Sequence, residues 1–122
     1  MQHNFQQVEA LLADQGWTVL ASSHGAITPT SWKGANRKTL MDGTIHAGRQ
    51  GENGVLALFA FYYNGGNITV PDTAITGVSR AGRLLNSAVE VQYLDDIGSR
   101  VLTLVGPAGR MKDIFAALNR RI

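Results

Sequence analysis

Apolar positions along the chain change period twice, from helical to alternating and back to helical. Phe5, Val8, Leu11 and Leu12 follow three- and four-residue spacing, which predicts a short helix near the start. Asn4 is placed to cap it, Gln7 completes a capping box, and Gly16 suits the left-handed residue that ends a helix. The apolar stripe is narrow, so this helix is expected to lie on another layer rather than inside one.

The middle of the chain has the composition of strands. Trp17–Ala21 and Ala26–Trp32 hold β-branched and aromatic residues, with Ser22-Ser23-His24-Gly25 read as the turn between them. Pro29 marks the second as an edge or interrupted strand. Thr39–Ala47 is a further expected strand and Gly48–Gly54 an exposed loop. Val55–Tyr63 is a continuous apolar run, the pattern of a strand covered on both faces. Alternation within it assigns Phe59, Phe61 and Tyr63 to the core face and Tyr62 to a partly covered outer face.

After a turn at Asn64–Asn67 come short strands at Ile68–Val70 and Ala74–Arg80, the latter closed by an Ala81-Gly82-Arg83 turn. Ala88–Leu94 alternates, Asp95–Ser99 turns, and Arg100–Val105 is the last expected strand. Beyond Pro107, the residues Met111, Ile114, Phe115, Leu118 and Ile122 form a stripe that only a helix places on one side. Arg120 and Arg121 fall in its last turn, where cations suit the helix dipole. The expected fold is α+β and mainly β: a bent antiparallel sheet or partly open barrel capped by a C-terminal helix. It is read as one domain over 1–122, with the first helix in 1–16, strands in 17–105 and the last helix in 107–122.

Composition narrows the chemistry. Cysteine is absent, which excludes disulfides, thiolate zinc sites and thiol nucleophiles. No apolar run approaches the ~20 residues of a membrane helix, and the Met-Gln-His-Asn-Phe start lacks a signal-peptide pattern, so a cytoplasmic location is expected. Eleven basic against nine acidic residues leave +2, a small surplus for a nucleic-acid binder. One stretch leans positive, through Lys33, Arg37, Lys38 and Arg49 against Asp42.

Candidate catalytic groups have ordinary structural readings. His3, His24 and His46 lack helical metal-site spacing, although His24 and His46 with Asp42 would form a weak site if adjacent strands brought them together. Ser23 and His24 are neighbours on an extended chain and face opposite ways, so no nucleophile–base pair is expected. Asp95 and Asp96 read as turn formers, and neither Gly48–Gly54 nor Gly106–Arg110 has a phosphate-loop ending. Trp32 beside Lys33 is the best exposed aromatic for a binding surface, with Tyr62 second.

Several pieces in order resemble bacterial pleckstrin-homology-like domains: Ile68-Thr69-Val70-Pro71, Ile75-Thr76-Gly77-Val78, Gly82-Arg83-Leu84-Leu85, Val89-Glu90-Val91 and the helix after Pro107. The resemblance covers Ile68 to Ile122 and is one of fold. The Thr-(Asn/Asp)-(Lys/Arg)-Arg-Leu hairpin signature of many such domains is replaced by Leu58–Tyr63. The resemblance, together with the absence of a catalytic constellation in the sequence, implies a non-catalytic binding or adaptor module, without cofactor, that engages a protein partner or a second copy of itself. Binding of anionic lipid head groups or nucleic acid through the basic residues Lys33, Arg37, Lys38 and Arg49 is the alternative. A small metal-dependent hydrolase built on His24 and His46 is the third.

Overall fold

A computed structural model describes residues 4–34, 38–83 and 86–119. The expected capping box starts helix α1 (Phe5–Asp14): Gln7 N donates to Asn4 Oδ1 at 2.8 Å and Asn4 N to Gln7 Oε1 at 3.3 Å. Gly16, at φ 86°, turns the chain into the first strand.

The strands are β1 (Trp17–Thr28), β2 (Met41–Gln50), β3 (Val55–Tyr62), β4 (Asn67–Pro71), β5 (Ile75–Arg83), β6 (Asn86–Leu94) and β7 (Ser99–Pro107). Helix α2 (Ala108–Asn119) follows directly. All strand pairs are antiparallel, in one seven-stranded sheet of order β4-β3-β2-β1-β7-β6-β5. The bent sheet closed by a C-terminal helix is thus present, with β4 and β5 as its two edges.

Two expected turns are strand. Ser22–Gly25 lies inside β1, paired through to Thr44 and Gly43 of β2. Its polar residues alternate faces normally, and Gly25 serves close approach instead of turning. A Cβ on Gly25 would stand 2.1 Å from the Val105 carbonyl oxygen, where β1 crosses from β2 towards β7. Ala81–Arg83 likewise continues β5 and pairs with Ala88, Ser87 and Asn86. The strand expected to reach Trp32 ends at Thr28, before Pro29. Leu84, Leu85 and Arg120 to Ile122 lie outside the described residues.

The core is double. Leu56, Leu58 and Ala60 of β3 join Ile27, Ile45, Val89, Val91, Leu102, Leu104 and the α2 residues Met111, Ile114 and Leu118 in the main cluster. Ala57, Phe59 and Phe61 point the other way, into a smaller cluster made with Val8 and Leu12 of α1. Phe59 and Phe61 are therefore buried on the outer face beneath α1, while Tyr62 packs against the main core. This reverses the face assignment drawn from alternation, because period two gives two faces without saying which a helix will cover. Each fully buried large side chain contributes about 1.5–3 kcal/mol, so Val8 and Leu12 are the principal anchors of α1.

Leu118→Ala should lower the unfolding free energy by about 2–5 kcal/mol in a denaturant titration. Exposed Leu11→Ala should stay within about 0.5 kcal/mol. Gly25→Ala should exceed the ~1 kcal/mol of a typical substitution, since its methyl meets backbone. A near-neutral Gly25→Ala would contradict the crossing geometry.

Candidate functional site

Strand β1 is paired unequally along its two edges. On one side β2 runs beside it from Trp17 to Ile27; on the other, β7 pairs only with Ala26, Ile27 and Thr28. The edge from Trp17 to Ser22 has no strand partner there among the described residues. A register shift between Val19 and Ala21 marks a bulge at Leu20. The extra residue changes the phase of the strand. Trp17 and Val19 pack towards α1, whereas Ala21 and Ile27 pack into the main core. Leu20 itself is 40% exposed.

Beside this edge runs a groove of about 360 Å³. Its floor is Val19, Leu20, Ala21 and Ser22, one wall is Arg110, Asp113, Ala116 and Ala117 of α2, and Glu9 of α1 stands at the other side. Ala116 and Ala117 are small, so an approaching backbone can come close to both helix and strand. Arg110 and Asp113 are three residues apart on an exposed helical turn, and neither is ion-paired among the described residues. The opposite flank of α2 is covered differently: the Arg80 guanidinium of β5 lies 5.9 Å from the Phe115 ring centroid.

The residues singled out from sequence occupy separate places. Trp32 and Lys33 form a single helical turn after β1. Trp32 is half-buried, its backbone N–H donating to Glu90 Oε1, and Lys33 and Lys38 are exposed. Thr103 Oγ1 fixes the same connection by donating to the Thr30 carbonyl. Arg37 lies outside the described residues. Tyr62 pairs opposite Gly43 near the start of β2, at the same end of the β1–β2–β3 ladder as Lys38. Its hydroxyl titrates above the usual range, pushed up by burial and then by nearby Tyr93. Arg49 is at the far end, opposite Thr18. Met41 to Arg49 is about 26 Å of strand at a rise of ~3.3 Å per residue. Trp32 and Lys33 thus lie towards β6, Lys38 and Tyr62 at one end of the β1–β2–β3 ladder, and Arg49 at its other end.

The histidine pair does come together on one face. Ser22 faces His46 and His24 faces Thr44 across the β1–β2 ladder, so both imidazoles lie on the α1 side. Phe5 packs against each, with ring centroids 4.6 Å from His24 and 5.1 Å from His46. No cluster of three or more metal-ligating side chains occurs among the described residues. His24 instead meets Tyr63, Nδ1 to Oη at 2.7 Å. Ser23 Oγ donates to the His24 carbonyl at 2.6 Å, and the Ser23 hydroxyl and His24 ring lie on opposite faces.

Asp95 forms a turn as expected, accepting from Ile97 N at 2.8 Å and Gly98 N at 3.0 Å through Oδ1. Its Oδ2 takes Arg100 Nε at 2.7 Å. Glu9, Leu20, Arg110, Asp113 and Ala116 belong to the groove without any motif or periodicity in the sequence assigning them to a site. The Arg110/Asp113 spacing on the polar side of a helix was legible without marking a site; the bulge at Leu20 had no signal.

No family model and no curated protein matches the sequence. Among solved structures, the chain is similar to "The pleckstrin homology (PH) domain of USP37", with a TM-score of 0.61 at 18% identity. The match covers 82% of this chain and 94% of that one. At this identity the likeness is one of fold: a pleckstrin-homology-like sheet and C-terminal helix. No helix of the described residues is long and apolar enough to cross a membrane.

The Arg100 hydrogen bond, followed by the Ile97 amide, holds the Asp95 carboxyl below its ordinary value. Its contribution to the turn is therefore present above the usual carboxylate range and lost as pH falls. A carboxyl NMR titration should show this low midpoint, and Arg100→Gln should move it upward. An unmoved midpoint would show that the ion pair does not set it.

Proposed function

From a pleckstrin-homology-like fold with one strand edge left uncovered, we propose that this chain is a non-catalytic binding module for a protein partner. An extended segment of that partner adds as a strand along Trp17–Ser22 of β1 and lies in the groove against α2. The carrying observation is the unequal pairing of β1: a ladder along one edge, and beside the other a groove of about 360 Å³. An exposed edge offers main-chain donors and acceptors for affinity, and the adjoining wall offers side-chain contacts for specificity. Leu20 supplies apolar surface, Ala116 and Ala117 supply room, and Arg110 and Asp113 supply one charge of each sign for the incoming segment.

A displayed library of linear peptides tests this. Selected peptides should raise amide protection at Val19–Ser22, and Ala116→Trp, which fills the groove from an exposed position, should weaken them at least about tenfold (~1.4 kcal/mol). Protection confined to the β4 or β5 edge, or equal binding by Ala116→Trp, would sink the reading. A dimer in sedimentation that Ala116→Trp disperses would make the occupant a second copy of this chain.

A second reading rests on Lys33 and Lys38, both exposed on the connection between β1 and β2, from which Arg49 is distant. That connection is a candidate for an anionic surface, at about 1 kcal/mol per cation near a membrane. Phosphatidylserine vesicles should then retain the protein at low salt and release it as salt rises. No retention at low ionic strength would end this reading.

A further inference from the structure

We propose that α1 is a pH-responsive latch: protonation of His46 beneath it releases the helix and bares the apolar face it covers. Release also takes Glu9 away from the groove, a consequence that rests on the binding role given to the groove above.

The geometry begins with a buried imidazole that lacks partners. The His46 side chain is 0% exposed, and neither ring nitrogen has a hydrogen bond. Glu9 Oε1 lies 3.4 Å from Nδ1, within ion-pair reach but too poorly aligned to serve as an acceptor. Phe5 of α1 covers one side of the ring, and Phe61 of β3 meets it edge-on at 6.1 Å. Thr44 Oγ1, two residues along the same face, is also buried without a partner. A neutral imidazole tolerates this apolar seat at the cost of unmade hydrogen bonds. A cation there needs solvent or a well-placed anion.

The charged groups acting on His46 pull in opposite directions. Burial is the largest influence and disfavours the cation; Glu9 of α1 favours it, and His24 of β1 disfavours it again once charged. The net effect holds the His46 pKa below its ordinary value of 6.5. His24 is itself tied to Tyr63 at the end of the β3 face. A group depressed in the docked state contributes to docking above its undocked pKa, and that contribution is lost as pH falls below it. Acidification below 6.5 therefore loosens α1.

The helix is the element that can yield. Its anchors, Val8 and Leu12, belong to the small outer cluster with Ala57, Phe59 and Phe61, separate from the main core. Undocking leaves every β ladder and the α2 contacts in place while exposing two phenylalanines and the edge-on Trp17–Phe59 pair, now at 4.9 Å. Sub-global opening of this kind costs less than unfolding the sheet.

Hydrogen exchange of the full chain, corrected for intrinsic rates, reads the latch directly. Between pH 8 and pH 5, protection of Val8–Asp14 should fall severalfold while that of β6 and β7 holds. His46→Leu should flatten this response. Glu9→Gln, which removes the anion 3.4 Å from the ring, should deepen it. An α1 whose protection holds to pH 5, or an equal fall in His46→Leu, would overturn the proposal. Should His46→Leu not fold, an unchanged response in Glu9→Gln would overturn it instead. Peptide binding is not the readout, so a responsive α1 with an empty groove would fail the binding role alone, and the converse would fail the latch alone.

Discussion

One strand has to belong to two halves of the sheet, and the rest of the structure follows from how β1 manages it. Over Trp17–Ile27 it is paired to β2, and over its last three paired residues it is also hydrogen-bonded to β7. Such a crossing brings two backbones closer than side chains permit. Gly25 provides the approach on β1, and Gly106 the approach on β7, where a Cβ would meet the His24 carbonyl oxygen at 3.2 Å. Because the strands diverge from that crossing, the first half of β1 keeps a free edge. Helix α2 closes the barrel beside this edge but does not pair with it.

The bulge at Leu20 is the second consequence. Without it, one alternation would run unbroken through β1, and Trp17 and Val19 would share a face with Ala21 and Ile27. The inserted residue lets the strand serve the α1 layer with its first residues and the barrel interior with its later ones. It also leaves an exposed leucine on the uncovered edge. Groove and outer layer are thus products of the same irregularity, and Glu9, which touches both the groove and His46, physically joins them.

Burial on two faces explains the composition of β3. Leu56, Leu58 and Ala60 face the barrel and Ala57, Phe59 and Phe61 face α1, so all six central positions of the strand are buried. The outer layer is nevertheless less apolar than the inner one. It contains His46, Thr44 and His24 beneath or beside a helix held by two fully buried side chains. A polar group under a lightly anchored element makes docking sensitive to conditions that the main core ignores.

Element types and order were legible in the sequence because they depend on local chemistry: the Asn4/Gln7 box, the apolar run of Val55–Tyr63, the Asp95 turn and the Met111–Leu118 stripe each act within a few residues. Even the misread turns were local misreadings, since Ser22–Gly25 and Ala81–Arg83 carry turn residues for reasons of packing. What tertiary structure alone decided is which face of β3 the helix covers, where β1 parts from β7, and that Arg49 stands far from Lys33 while Glu9, Leu20 and Asp113 converge. Those outcomes depend on the crossing of strands distant in sequence, and periodicity along one strand carries no information about which partner lies over it.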